Sequence, residues 1–145
     1  MKFVSSLSLL AALVPALAAA QPVVVQNGTF KPAAFIERLK DQKLPDGCTI
    51  TRLELHEASG QNAEYASIGL HQIARDVNLE INGNVPVEVY SDGSFKASYS
   101  DDLAGLAKTS LTVLFNKDLS VRSLQYSQSS PDQPVAEKID CLLNR

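Results

Sequence analysis

The sequence predicts an α+β domain: a curved antiparallel β-sheet meander packed on one face by a helix in the N-terminal region and a helix at the C-terminus. Three observations predict it. From Val77 to Val121 apolar residues recur at every second position, the period of half-buried strands. Short turns rich in Asn, Asp and Gly separate the rows. Two flanking segments, 31–43 and 135–143, carry apolar residues at helical spacing. A small up-and-down β-barrel with a flanking C-terminal helix is the competing arrangement of the same strands.

Residues 1–20 have the layout of a secretory signal peptide. Lys2 supplies the basic start, Phe3 to Val14 the mostly apolar stretch, and Ala16-Leu17-Ala18-Ala19-Ala20 the small-residue cleavage region. The apolar run falls short of the roughly 20 residues that a membrane-spanning helix needs. Cleavage after Ala20 leaves residues 21–145 as a single exported domain, and loss of Lys2 takes the net charge from −3 to −4.

Pro22 to Val25 reads as a short edge strand. Asn27-Gly28-Thr29 matches the glycosylation acceptor pattern, although its simplest reading is a turn. Helix 31–43 opens with Pro32, whose missing N–H costs nothing at a first helical position, and buries Phe35, Ile36 and Leu39. Leu44-Pro45-Asp46-Gly47 stops it. Residues 48–58 form a strand with Leu53 and Leu55 on one side and a bulge near Thr51-Arg52. Segment 65–75 fits either a strand or a short helix, and the strand paired with 52–58 is favoured.

The strongest local signal is Val85 to Tyr99. A two-residue Asp92-Gly93 turn would put the two apolar rows on opposite faces. A three-residue loop, Ser91-Asp92-Gly93, pairs Val89 with Phe95, Val87 with Ala97 and Val85 with Tyr99, and places Gly93 where φ is positive. The same parity suits a loop Asn82-Gly83-Asn84, with Asn84 left-handed and Ile81 opposite Val85, and an odd loop between Phe115 and Leu119. Residues 101–108 and 127–133 read as loops. The closing helix spans Val135 to Leu143, with Val135, Ile139, Leu142 and Leu143 on its stripe.

Cys48 and Cys141 are the two cysteines, and an exported chain predicts a disulfide between them. The alternative is a pair of free or intermolecular thiols. A mildly acidic chain with no Lys/Arg-rich block gives no reason to invoke nucleic acid, and no second apolar run is long enough for a membrane span. No nucleophile elbow, phosphate-binding Gly-rich loop or Cys beside His is present, so no catalytic residue, cofactor or metal ligand is assigned. With Leu55 facing Ile68, His56 falls opposite Ser67 and His71 opposite Arg52, roughly 13 Å apart along the sheet at strand rise. That is too far to share a metal ion.

What remains is surface. Tyr90, Leu114, Leu124 and Tyr126 are the apolar exceptions on the polar side of the strands, and together they would mark a partner surface. The function expected is that of a secreted or periplasmic, non-catalytic binding module acting through protein contact, as an inhibitor or envelope accessory. A carrier of a small apolar ligand between sheet and helices is the alternative, and a small hydrolase the weaker third reading.

Overall fold

A computed structural model describes residues 21–40, 42, 44–57, 65–72, 75–102 and 104–141, with the backbone alone at 57 and 133–140. The expected signal peptide, the loop 59–62 and the end of the expected C-terminal helix lie outside the described residues. The elements run β1 (Val24–Phe30), α1 (Pro32–Leu39), β2 (Arg52–Glu57), β3 (Tyr65–Gln72), β4 (Arg75–Asn82), β5 (Val85–Tyr90), β6 (Phe95–Asp102), β7 (Lys108–Phe115), β8 (Val121–Ser130) and β9 (Gln133–Cys141). They build a six-stranded antiparallel sheet, ordered β1-β5-β6-β7-β8-β9, and a three-stranded one, β2-β3-β4. The fold is thus mostly antiparallel sheet with one short helix. Neither sheet closes into a barrel.

The hairpin of β5 and β6 has the expected register: Val89 opposite Phe95 and Val87 opposite Ala97. Tyr90 N–H donates to Ser94 O, Gly93 N–H donates to Tyr90 O, and Gly93 takes φ 83°. The ladder stops before Val85 and Tyr99, because Tyr90 N–H points at β6 and the parity of the strand points the Pro86 nitrogen there too. Proline has no hydrogen to donate. The chain turns a corner here. β4 and β5 lie in different sheets, so the expected pairing of Ile81 with Val85 is not formed. Gly83, not Asn84, takes the positive φ, at 87°. Tyr99 Oη seals the corner by accepting Asn82 N–H at 3.0 Å.

The apolar faces of both sheets and of α1 meet in one core. Phe35, Ile36 and Leu39 share this core with Ile68 and Leu70 of β3, Ile81 of β4, and Val113 and Phe115 of β7, and α1 itself lies against β1, β2 and β3. Helix α1 ends four residues short of the expected Lys43, where Lys40 turns extended at ψ 136°. Asn27-Gly28-Thr29 is part of β1, not a turn. Segment 65–72 is a strand in the expected register, Leu55 opposite Ile68. β6 and β8 both run further than expected, β6 to Asp102 and β8 to Ser130, so the 127–133 loop shrinks to a tight turn at Pro131-Asp132.

The C-terminal helix is the main correction. Residues 133–141 instead form β9, which adds to the free edge of β8 with Ile139 opposite Tyr126 and Cys141 opposite Leu124. Val135 and Ile139 fit period two as well as the helical stripe, Cys141 fits period two alone, and the β8 edge decides for the strand. Cys141 is buried there and bonds to Cys48, closing a loop of 93 residues and tying β9 to the segment that leads into β2. The chain-entropy account gives such a loop about 4–5 kcal/mol as an upper figure.

The β7–β8 turn repeats the β5–β6 turn. Asn116 N–H donates to Ser120 O and Leu119 N–H to Asn116 O, each at 2.9 Å, so the loop is the odd one expected. Leu119, however, does not pair with Phe115. It occupies the position of Gly93, at φ 70° and 41% exposed. The left-handed region costs a Cβ-bearing residue roughly 1–2 kcal/mol. Leu119→Gly is therefore expected to raise stability by about 1 kcal/mol, after allowing for glycine's freer unfolded chain. A lower denaturation midpoint for the variant would count against the strain.

In both turns an aspartate locks the loop. Asp92 Oδ1 accepts Ser94 Oγ–H and N–H at 2.6 and 2.9 Å, and Asp118 Oδ1 accepts the same groups of Ser120 at 2.6 and 3.0 Å. The serine hydroxyl, and then the serine amide, hold each carboxyl below its ordinary value of 3.8. The unfolded chain takes up these protons at higher pH than the folded one. The contribution is therefore complete above 3.8 and disappears as pH falls through the depressed values. Asp92→Asn with Asp118→Asn is expected to lose less stability than the parent between neutral pH and about pH 3. Urea titrations at the two pH values test this, and an undiminished acid loss in the double variant would refute it.

Candidate functional site

Alternation along β5–β8 turns one row of side chains into the core and the other outward, so the outer face of the six-stranded sheet can be read from its register. One row runs Glu88, Lys96, Leu114, Ser123. The next runs Ser98, Thr112, Gln125, and a third Ser100, Ser110, Ser127. The face is largely neutral and hydroxyl-rich, and each hydroxyl can both donate and accept. Ser110 Oγ and Ser127 Oγ lie 2.7 Å apart across the β7–β8 ladder. Beside them a depression of about 170 Å³ is lined by Ser110, Thr112, Gln125, Tyr126 and Ser127.

Near the turn end of this face stands a charged network. Lys96 Nζ lies 2.6 Å from Glu88 Oε2, and Tyr90 Oη–H donates to the same oxygen at 3.1 Å. Lys96 first, then Tyr90, lowers the Glu88 carboxyl below its ordinary value, and Glu88 raises Lys96 above its own. Lys96 occupies the strand between Tyr90 on β5 and Leu114 on β7, so these two predicted residues share a face two strands apart. Both are half-buried.

The other two are not on that face. Leu124 and Tyr126 are 0% and 2% exposed, inside the core. Strict alternation from Val121 would turn them outward. Between Leu114 opposite Ser123 and Phe115 opposite Val121 the register shifts, leaving Arg122 as an extra residue. That bulge resets the parity, so Val121, Leu124 and Tyr126 all face inward. The hydroxyl rows themselves escaped notice, although the Ser/Thr-rich runs on β6–β8 were the readable signal. So was the repeated Asp-x-Ser in the two turns.

The three-stranded sheet also presents an outer face, and both histidines lie on it. His56 is opposite Ser67 and His71 opposite Arg52, as expected. Glu54 lies between them on β2, with Oε2 3.4 Å from His71 Nε2 and 4.0 Å from His56 Nε2. His71 Nδ1 is 2.9 Å from Asp76 Oδ1 on β4. Arg52 pairs with Glu54 at 3.1 Å. The His71 side chain is 16% exposed and lies over Gly69, where an added Cβ would come within 3.3 Å of its Nε2. His71 thus straps β3 to both neighbours. Among the described residues no group of three or more His, Cys, Asp or Glu side chains is placed to hold a metal ion, and no helix is long and apolar enough to cross a membrane.

No family model matches the chain, and neither the curated proteins nor the solved structures contain a match to it.

His71→Ala removes both strap contacts and the ring over Gly69. It is expected to cost about 1–2 kcal/mol and to speed amide hydrogen exchange in β2 more than in β8. Equal effects on the two strands would mean that the cluster does not hold the smaller sheet together.

Proposed function

We propose that the protein is an exported, non-catalytic binding module that acts through protein contact, with the outer face of β5–β8 as its contact surface. The observation that carries this reading is the hydroxyl-lined depression formed by Ser110, Thr112, Gln125 and Ser127. Its volume of about 170 Å³ is well below the roughly 300–1,000 Å³ of small-molecule sites. It suits one side chain of a partner laid across the sheet better than a whole ligand. Tyr90 and Leu114 supply apolar contact at one end, and the serine and threonine rows supply hydrogen bonds along its length.

The carrier reading has less support, because Phe35, Ile36 and Leu39, each 1–2% exposed, occupy the space between the sheets. Hydrolysis has less still: His71 Nδ1 is taken by Asp76, and Nε2 lies buried beside Glu54. Export, to the extracellular space or periplasm, rests on the layout of residues 1–20. The Cys48–Cys141 disulfide is compatible with it. An inhibitor or an envelope accessory protein would fit this description.

Immobilised secreted protein, challenged with the extracellular or periplasmic fraction of its own host, tests the reading. A retained partner is expected to bind Leu114→Glu and Thr112→Glu about tenfold more weakly or worse, with His56→Ala unaffected and thermal midpoints unchanged. Retention that is equal across all four proteins would refute the assigned face. A small molecule co-purifying in native mass spectrometry would point to a carrier instead.

A further inference from the structure

We propose that Asn27 is a site of N-linked glycosylation, its glycan standing over the open edge of the six-stranded sheet. The inference rests on the export reading above. Asn27-Gly28-Thr29 is the single Asn-x-Ser/Thr triplet in the chain. The fold places it in β1, the terminal strand of the sheet, with all three residues exposed.

Two features of that placement bear on modification. In extended backbone, residues two apart share a face, so the Thr29 hydroxyl lies on the same side as the Asn27 amide. Their cross-strand partners are Glu88 and Pro86, which puts both side chains on the outer face of the sheet. Around Gly28 an added Cβ would meet nothing within 4 Å, so the triplet has open space about it. A transferase can reach it without unfolding the domain.

Beyond an irregularity between Val24 and Gln26, the edge carries little protection of its own. Parity along β1 turns the backbone groups of Gln26, Gly28 and Phe30 toward β5, and leaves those of Asn27 and Thr29 facing outward. Val23, Val24 and Val25 are 67%, 40% and 64% exposed, and no charged residue occurs from Gln21 to Phe30. Exposed, uncharged, β-branched edges pair with other chains unless something covers them. A hydrated oligosaccharide at the middle of β1 covers this one.

In the transfer, Asn27 Nδ2 bonds to the anomeric carbon of an oligosaccharide carried on a lipid diphosphate. The bond from that carbon to the diphosphate oxygen breaks, the lipid diphosphate leaves with the electron pair, and Nδ2 gives up one proton. No oxidant or reductant is needed.

The test is secretion of the full chain, with its own residues 1–20, from a eukaryotic host, followed by intact-mass analysis. The expected product is heavier than the polypeptide by one N-glycan. Peptide N-glycosidase in ¹⁸O-water should remove the excess and leave a labelled aspartate at position 27. Thr29→Ser should keep the glycan and Thr29→Ala should lose it. Glycosidase treatment is further expected to shift the protein to larger species in size-exclusion chromatography with light scattering. Secretion without added mass would overturn the proposal while leaving export standing. Retention of an unmodified chain inside the cell would overturn both. A glycan-free protein that stays monomeric would overturn the role of the glycan at the edge.

Discussion

The rest of the structure depends on the interruption between β4 and β5. Eight of the strands follow one another as neighbours, and without a break they would extend as one long twisted sheet. Three local facts stop them. Gly83 takes a positive φ, Tyr99 Oη accepts the Asn82 amide that would otherwise continue the ladder, and the β5 edge that β4 would use is taken by β1. The chain folds over at this point. The apolar rows of β3 and β4 then face those of β5–β8, and α1 fills the space between them with three large side chains.

The corner also decides which surfaces are outward. With the apolar rows turned inward from both sides, two polar faces remain and they differ in kind. The smaller sheet presents paired groups, Arg52 with Glu54 and His71 Nδ1 with Asp76, while His71 Nε2 lies buried near Glu54 without a hydrogen-bond partner. The larger sheet presents mostly neutral hydroxyls, with Ser110 and Ser127 hydrogen-bonded to each other across β7 and β8. Paired charge is a poor offer to a ligand, whereas a neutral field of donors and acceptors is a good one. That contrast is why the larger face is assigned the contact role.

Much of this was legible in the residues, and the exceptions have identifiable causes. Parity rules gave the Ser91–Gly93 loop and the pairing of Leu55 with Ile68. They also gave an odd loop after Phe115, but that loop is Lys117–Leu119 and Phe115 pairs with Val121 instead of Leu119. The odd Asn82–Asn84 loop joins two sheets instead of pairing Ile81 with Val85. Parity failed where one residue altered the count. Arg122, the extra residue of a bulge, sent Leu124 and Tyr126 inward and halved the predicted surface. Position 86 ended a ladder that side-chain alternation alone would have continued. The C-terminal segment failed for another reason. Its apolar spacing fits two periods, and only the free edge of β8, a feature of the assembled sheet, selects the strand.

The disulfide and the first strand give the sheet two unlike ends. At one end β9 is held to β8 by its ladder and, through Cys141, covalently to the segment before β2. At the other, β1 is held to β5 by hydrogen bonds and a few contacts to α1. Mechanical load applied beyond Cys141 would pass through the sulfur bridge into the body of the domain and leave the ladder unstretched. Load applied ahead of Val24 meets no such clasp and would unzip β1 one hydrogen bond at a time. A domain tethered by its C-terminal side would keep its shape under tension, and one tethered by its N-terminal side would first surrender its edge.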